Sequence, residues 1–200
     1  MEFIAHRINT LQLLSTVPLE FGVEIDLRDD LSGRIYMEHD PFVPGEDFEE
    51  YIKNYNHGTV ILNVKSERIE HKVIDIMKKY GLNNYFFLDC SFPMIKLLTD
   101  LGETNIALRY SEYEGIYTIE KLKNKVKWVW VDCFSDFPLD YTTYSFIKKL
   151  GYLTCFVSPE LQGQPEKIEL YARIINSENI RFDAICCKIS NISKWQGLLK

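Results

Sequence analysis

Short apolar segments alternate with helix-like segments along the whole chain. Eight apolar segments are predicted strands, at residues 3–5, 22–27, 59–64, 85–89, 105–109, 127–132, 152–157 and 182–186. Several of them are almost continuously apolar, which is typical of parallel strands buried on both faces. A ninth extended segment, residues 34–38, follows the turn-rich residues 29–33, and we expect it to return as a hairpin beside the second strand.

Helices are predicted between the strands. Helical spacing of apolar positions occurs at residues 67–80, 92–101, 118–123, 140–150 and 165–176, and residues 46–55 are predicted to form an acidic helix. Gly81, Gly102 and Gly151 each follow a helix, where a left-handed cap is favoured. Strands that alternate with helices, without a linker or a repeat, predict one α/β domain over residues 1–200, either a (β/α)8 barrel or a doubly wound sheet.

The barrel is favoured because polar residues gather where the predicted strands end. In a barrel these ends converge on one face, whereas in an open sheet only the strands beside the switch point would meet. At 200 residues the barrel would be compact, since such folds typically take about 250. The residues concerned are His6, Arg7, Glu24, Asp26, Lys65, Asp89, Arg109 and Asp132.

Composition and charge exclude several classes of protein. The 12 Phe, 12 Tyr and 3 Trp provide far more core material than a disordered chain carries. With 23 basic and 29 acidic side chains, the net charge of −6 disfavours nucleic acid as a partner and stable docking on anionic membranes. No apolar run is long enough to span a bilayer, and no signal peptide is visible, so a cytoplasmic location with reduced cysteines is expected. The sequence does not indicate an oligomeric state.

The most informative pair of polar residues is Glu24 and Asp26. Two residues apart on a strand, both side chains point to the same face, which in a barrel is the interior. Two buried carboxylates repel each other unless a cation or a proton lies between them, and oxygen ligands of this kind suit Mg2+ or Ca2+. The alternative is a half-exposed strand whose acidic residues face solvent, which is the commoner explanation for an isolated pair.

Basic and imidazole side chains stand at the ends of neighbouring extended segments. His6 and Arg7 end the first strand, where a guanidinium can grip phosphate oxygens and an imidazole can move a proton. His39 closes the segment 34–38, and Lys65 ends an apolar strand, where a buried ammonium needs an anionic partner. Each residue alone also fits a surface or structural role. Together with the carboxylate pair they match the requirements of metal-assisted phosphoryl chemistry.

The order of these motifs resembles the glycerophosphodiester phosphodiesterase family, whose relatives include phosphatidylinositol-specific phospholipases C and sphingomyelinase D toxins. That family carries an HRG motif, an ENT motif, an E-x-D pair, a DG turn and an HD dipeptide. The resemblance covers residues 3–67 and is architectural beyond them. The matching segments are Ala5-His6-Arg7, Asn9-Thr10, Val23-Glu24-Ile25-Asp26, Ser32-Gly33, His39-Asp40 and Asn63-Val64-Lys65.

The resemblance implies a compact (β/α)8 TIM barrel and a metal-dependent phosphodiester hydrolase. His6 and His39 would be the general acid and base. Glu24 and Asp26, with Asn63, would hold a divalent cation, Mg2+ or Ca2+, that neutralises charge on the phosphoryl group.

Further residues are expected around a small phosphodiester substrate. Arg7 and Lys65 would bind its remaining phosphate oxygens, and attack would come either from water or from a neighbouring substrate hydroxyl. Other side chains could line the pocket, although a charged loop or, for the tryptophan, a seal at the barrel bottom explains them equally well or better. They are Asp40, Arg109, Glu112, Glu114, Asp132 and Trp195.

The insertion that commonly follows His39-Asp40 in the family is absent here, which leaves the head-group specificity open. Two further departures leave an alternative function open, because Ile8 stands where the family has glycine and Asn63 replaces a third carboxylate ligand with one charge fewer. The alternative is a catalytically weakened or inactive barrel that binds a phosphorylated head group or partner. An open α/β sheet of unrelated function would require all the motif matches to be accidental.

Overall fold

The computed structural model describes residues 1–199 and divides the chain into two compact units. One unit comprises Ile4–Leu101, and the other comprises Met1–Phe3 together with the residues from Gly102 onward. The single domain expected from the sequence stays a prediction.

The unit Ile4–Leu101 is built around the long strand β2. It is paired in parallel with β1 at its beginning and with β5 along its length, and β5 pairs in parallel with β6. The last residues of β2 pair antiparallel with β3, which pairs with β4. The strands are β1 (Glu2–Ala5, which begins in the other unit), β2 (Gly22–Asp29), β3 (Ile35–Met37), β4 (Glu46–Asp47), β5 (Val60–Val64) and β6 (Tyr85–Leu88), and the helices are α1 (Leu11–Leu14), α2 (Phe48–Lys53), α3 (Glu70–Lys79) and α4 (Phe92–Asp100).

The other unit contains a four-stranded parallel sheet in the order β7-β8-β9-β10. Its strands are β7 (Ala107–Tyr110), β8 (Trp128–Val131), β9 (Leu153–Val157) and β10 (Ala184–Cys187), and its α-helices are α5 (Tyr117–Lys121), α6 (Tyr141–Lys149), α7 (Ile168–Ser177) and α8 (Ile192–Leu198). Short 3-10 helices occur at Pro159–Gln162, Pro165–Lys167 and Ile189–Asn191.

The architecture confirms an α/β fold with a mostly parallel sheet. All eight predicted strands are present, with limits that differ from the predicted ones by at most two residues, and residues 35–37 form the expected antiparallel return beside β2. Gly81, Gly102 and Gly151 take left-handed backbone angles after α3, α4 and α6, as predicted for C-terminal caps. None of the described helices is long and apolar enough to cross a membrane. Closure of the sheet into a barrel stays a prediction.

The predicted acidic helix at residues 46–55 was wrong at its beginning. Glu46 and Asp47 form β4, in register with Met37 and Tyr36, and the helix α2 begins only at Phe48. The Asp47 side chain accepts a hydrogen bond from the Glu50 N–H and so caps the helix. Because Asp47 caps the helix, the helix cannot extend to the residues before it. Glu46 and Asp47 pair instead with the edge of β3.

Gly45 lies where β4 meets β3 and leaves no room for a side chain. A Cβ at this position would lie 2.2 Å from the carbonyl oxygen of Met37. The preceding residues 41–44, in contrast, are exposed, and Phe42 is fully so. The segment after His39-Asp40 is therefore an exposed loop that ends at a backbone contact only glycine permits.

The candidate active site

Two buried carboxylates form the centre of the candidate site. Glu24 and Asp26 lie on β2, are fully buried, and are bridged by one side chain of the adjacent strand β5. The Asn63 Nδ2 donates to Glu24 Oε1 at 2.8 Å and to Asp26 Oδ1 at 3.2 Å. Because Asn63 pairs in register with Asp26, the parallel pairing of β2 and β5 brings all three residues to one place.

Burial and the neighbouring Asp26 carboxylate change the acidity of Glu24. Burial, followed by the negative charge of Asp26, raises the pKa of Glu24 to about 7, although hydrogen bonds from Asn63 and from the Arg7 N–H act in the opposite direction. The pair therefore favours a proton or a cation near neutral pH, as expected for two acidic groups held side by side away from water.

The residues that end β1 contact this pair from one side. The Arg7 N–H donates to Glu24 Oε2 at 2.8 Å, and the His6 Nε2 lies 3.7 Å from the same oxygen. The Arg7 Nε lies 3.9 Å from Asp26 Oδ2, and its side chain is 49% exposed, so it can also reach a ligand. Arg7 has a φ of 56°, so the left-handed position in this turn falls on Arg7.

Ile8, which follows His6 and Arg7, is held in the core. Its side chain is buried, its N–H donates to the Glu24 carbonyl at 2.9 Å, and its carbonyl accepts the Tyr51 hydroxyl at 2.7 Å. The backbone after Arg7 is thus bound to β2 and α2, and the isoleucine contributes to packing.

Asn9 supports Asp26 through a reciprocal pair of hydrogen bonds. Its Nδ2 donates to Asp26 Oδ2 and its Oδ1 accepts from the Asp26 N–H, both at 2.9 Å. Thr10, the next residue of the motif, caps α1 by accepting from the Leu13 N–H. The Asn9-Thr10 motif therefore orients one carboxylate and begins a helix.

Lys65 supplies positive charge on the β5 side. Its Nζ lies 3.8 Å from Asp26 Oδ1 and 3.3 Å from Asp89 Oδ2, and its side chain is 19% exposed. The sequence predicts that a buried lysine here needs an anionic partner, and the structure provides two. Asp89, at the end of β6, was recognised from sequence only as a strand-end residue, and this ion pair gives it a place in the site.

Arg28 joins the backbone at His39 to the backbone at Lys65. It is the residue of this site that the sequence did not single out. Its Nε and Nη2 donate to the His39 carbonyl at 3.2 and 2.7 Å, and its Nη1 donates to the Lys65 carbonyl at 3.2 Å. A usable signal exists, because Glu24, Asp26 and Arg28 alternate along β2 and alternate residues share a face. The predicted strand ended at residue 27, one position too early.

His39 and Asp40 form an exposed pair beside this network. The His39 Nδ1 lies 2.8 Å from Asp40 Oδ1, and the imidazole is 38% exposed. The hydrogen bond with His39 lowers the pKa of the Asp40 carboxyl. Because Nδ1 is engaged by a carboxylate, Nε2 is the ring nitrogen that remains for proton exchange.

The oxygen atoms around the carboxylate pair determine whether a divalent cation fits there. Glu24 and Asp26 provide carboxylate oxygens, but Asn63 presents its NH2 group to them, while its Oδ1 is buried and has no hydrogen-bond partner among residues 1–199. If the amide turned by half a rotation, Oδ1 would take the place of Nδ2 beside one oxygen of each carboxylate, and oxygen ligands of this kind suit hard divalent cations. Within the part of the chain that the structure describes, no three His, Cys, Asp or Glu residues form a metal cluster. The residues therefore fit Mg2+ or Ca2+ only with the Asn63 oxygen as third ligand.

Comparisons with known proteins find a match for the fold and none for the sequence. No family model matches the sequence, and no curated protein matches it significantly. Among solved structures, a glycerophosphodiester phosphodiesterase from Agrobacterium tumefaciens strain C58 matches with a TM-score of 0.65 and 12% identity, over 93% of this chain and 96% of that one. A glycerophosphoryl diester phosphodiesterase from Parabacteroides distasonis ATCC 8503 matches with a TM-score of 0.71 and 13% identity, over 100% and 87%. The chain has the glycerophosphodiester phosphodiesterase fold.

The polar residues predicted at the ends of β7 and β8 bind one another. The Arg109 guanidinium bonds to the buried Asp132 carboxylate and lies 3.7 Å from Glu114 Oε2. Glu112 accepts hydrogen bonds from three consecutive backbone N–H groups, those of residues 134–136. These contacts stabilise the βα loops of this unit, and a role in lining a substrate pocket stays a prediction.

Trp195 belongs to the core. Its ring is fully buried, packs edge-on against Phe156, and donates from Nε1 to Ser158 Oγ at 2.7 Å. No face of the ring is exposed for a sugar or head group to stack on. Trp195 therefore has a packing role.

A cavity of about 640 Å3 opens beside the end of β2. Its polar lining includes Arg28 and Arg34, and its apolar lining includes the exposed Leu31 and the loop residues 41–44. Because Arg28 also binds the His39 carbonyl, this cavity adjoins the segment that carries His39.

Proposed function

We propose that the protein is a metal-dependent phosphodiester hydrolase that acts on a small phosphodiester of the glycerophosphodiester type, on a closed (β/α)8 barrel. The observation that carries this proposal is the continuous network in which the buried pair of Glu24 and Asp26 is contacted by His6, Arg7 and Lys65. A pair of buried acids surrounded by an imidazole and two cations matches the needs of phosphoryl transfer. The fold shared with two glycerophosphodiester phosphodiesterases supports the same reaction class.

In this mechanism the basic side chains position the phosphate group. The half-exposed Arg7 guanidinium binds two phosphate oxygens, and the Lys65 ammonium, already held by Asp26 and Asp89, offers its remaining donors to another. A divalent cation held by Glu24, Asp26 and the Asn63 oxygen would supply further positive charge to the phosphoryl oxygens.

The two histidines move the protons. His39, whose Nδ1 is bound to Asp40, exchanges a proton at Nε2. His6, whose Nε2 lies close to Glu24, is the second proton-transfer group and acts on the opposite side of the phosphate. One imidazole removes a proton from the attacking hydroxyl while the other protonates the leaving oxygen. Attack by water gives a linear product, and attack by a neighbouring hydroxyl of the substrate gives a cyclic phosphate.

The proposal is tested by assaying a panel of phosphodiesters with Mg2+, with Ca2+ and with a chelator. We expect metal-dependent hydrolysis that is lost in His6→Ala and in His39→Ala. The exposed His71 on α3 provides the matched control, and His71→Ala should keep full activity. If both active-site variants remain as active as the wild type, the assigned mechanism is wrong.

One observation favours a second function, a barrel that binds a phosphorylated head group or partner without cleaving it. The Asn63 NH2 group occupies the place between the carboxylates where a third acidic ligand would otherwise face a cation. Calorimetry with glycerophosphodiesters and with each cation separates the two functions. Binding of the phosphodiester without any metal-dependent product would support the second.

A further inference from the structure

We propose that Asn63 is a cation-responsive latch. In the metal-free protein its NH2 group holds Glu24 and Asp26 together, and when a divalent cation binds, the amide turns and presents Oδ1 as a ligand. This inference rests on the proposed metal site but concerns the conformation of one side chain. It makes the metal-free and metal-bound forms two distinct states of the same residue.

The hydrogen bonding of Asn63 in the structure is one-sided. Its Nδ2 donates to a carboxylate oxygen on each of the two acidic residues, at 2.8 and 3.2 Å. Its Oδ1 is buried and accepts no hydrogen bond from any of residues 1–199. A buried carbonyl without a donor is unfavourable, so the two bonds from Nδ2 are what keep the amide in this orientation.

The opposite orientation is excluded only while no cation is present. With Oδ1 turned inward, it would take the place of Nδ2, which lies 2.8 and 3.2 Å from one oxygen of each carboxyl group, and without a positive charge among them the three oxygens repel. With a hard cation between them, the same three oxygens are favourable ligands. The charge between the carboxylates therefore decides which end of the amide faces them.

A third carboxylate would not behave in this way. An aspartate at position 63 has no N–H to donate, so the metal-free site would contain three mutually repelling acids. Asparagine supplies one negative charge fewer to a cation, but its NH2 group stabilises the site when no cation is bound. Lys65 and Arg7 add positive charge near Asp26. We therefore expect this site to bind its cation more weakly, and to tolerate the loss of the cation better, than a site with aspartate.

The orientation of the amide is observed directly by NMR of 15N-labelled wild-type protein. The side-chain NH2 resonances of Asn63, assigned by their absence in Asn63→Asp, are recorded in chelator and during titration with CaCl2 and MgCl2. We expect the pair to be protected from exchange in chelator and to shift and lose protection on saturation with cation. Unchanged Asn63 resonances at saturating cation would overturn the latch.

The variant Asn63→Asp tests the energetic half of the inference. Relative to wild type, we expect a lower unfolding temperature in chelator and a calorimetric dissociation constant for Ca2+ or Mg2+ at least about tenfold smaller. Asn84→Asp is the matched control, since Asn84 is exposed and its Oδ1 already accepts the Thr59 hydroxyl, as an aspartate would. It should change neither quantity. An Asn63→Asp protein that binds cation no more tightly than wild type contradicts the latch.

The two proposals fail in different ways. Wild-type protein that hydrolyses phosphodiesters in chelator and binds no cation overturns both the latch and the metal dependence of the proposed function. Wild-type protein that needs a cation for hydrolysis but keeps its Asn63 resonances unchanged overturns the latch alone. If Asn63→Asp does not fold, the wild-type titration still decides the question, with assignment through backbone connectivities.

Discussion

Replacing Arg28 with methionine should disable the site without touching any residue assigned to proton transfer or phosphate binding. The substitution keeps most of the aliphatic stem and removes three hydrogen bonds to the carbonyls of His39 and Lys65. A hydrogen bond from a charged donor contributes about 1.5–3 kcal/mol. The Arg28 side chain is only partly buried, so water replaces much of this, and we expect a loss of about 2 kcal/mol in the free energy of unfolding.

The effect of Arg28→Met on catalysis should be larger than its effect on substrate binding. His39 and Lys65 lie on different segments, and Arg28 is the side chain that joins their backbones. A small misplacement of catalytic groups can reduce kcat by about a hundredfold, which corresponds to about 2.7 kcal/mol in the activation barrier. Because Arg28 positions the His39 segment as well as Lys65, kcat should fall by a larger factor than KM rises.

Arg34→Met is the control for the loss of one arginine from the same hairpin. Arg34 lines the same cavity and pairs with Asp30 at 3.0 Å, but this exposed ion pair is worth little and involves neither His39 nor Lys65. Both variants are assayed for kcat, KM and thermal unfolding on the most active phosphodiester of the panel. If Arg28→Met keeps the kcat of Arg34→Met, or raises KM alone, Arg28 is not a positioning residue.

Three further predictions concern buried or partly buried polar groups. Burial raises the pKa of Glu70 above 4.5, so the folded protein keeps a proton that the unfolded chain releases, and stability falls as pH rises through that raised pKa. In urea denaturation, Glu70→Gln should therefore stabilise the protein at about pH 8 but not at about pH 4. Glu67→Gln, at an exposed site, is the control and should not stabilise the protein at either pH. Trp195→Phe should cost about 1–2 kcal/mol of stability through its lost hydrogen bond and Trp195→Ala about 3–5 through a cavity, and equal losses would contradict the assigned packing. Lys65→Met should lower kcat/KM at least about tenfold, mainly through KM, and an unchanged KM would remove Lys65 from phosphate binding.

Much of the site could be predicted because strand geometry is local. Alternation along β2 places Glu24 and Asp26 on one face, and the end of β1 lies beside the beginning of β2 in a parallel pair. His6 and Arg7 were expected near the carboxylates because the strand ends of a barrel converge on one face, and their contacts are seen. The same local reasoning predicted the eight strands and the left-handed glycines after three helices.

What could not be predicted depends on how segments pair with one another, which residue types alone do not show. Arg28 was missed because β2 continues to Asp29, and that extension exists through its antiparallel pairing with β3. The orientation of the Asn63 amide depends on which atoms of β2 face it across the sheet, and this follows from register rather than residue type. The two residues of β4 are too few to show any periodicity, and they pair only because Gly45 allows the backbone to approach β3.

The contrast between Gly45 and the loop before it determines how this region can evolve or be engineered. Position 45 admits no other amino acid, since any Cβ would collide with the Met37 carbonyl, whereas residues 41–44 are exposed. A longer segment grafted between Asp40 and Gly45 would start three residues after β3 ends and finish directly before β4 begins, and it would border the cavity next to Arg28. Substrate preference could thus be altered by exchanging one surface loop, with the buried carboxylate pair and its supporting strands left unchanged.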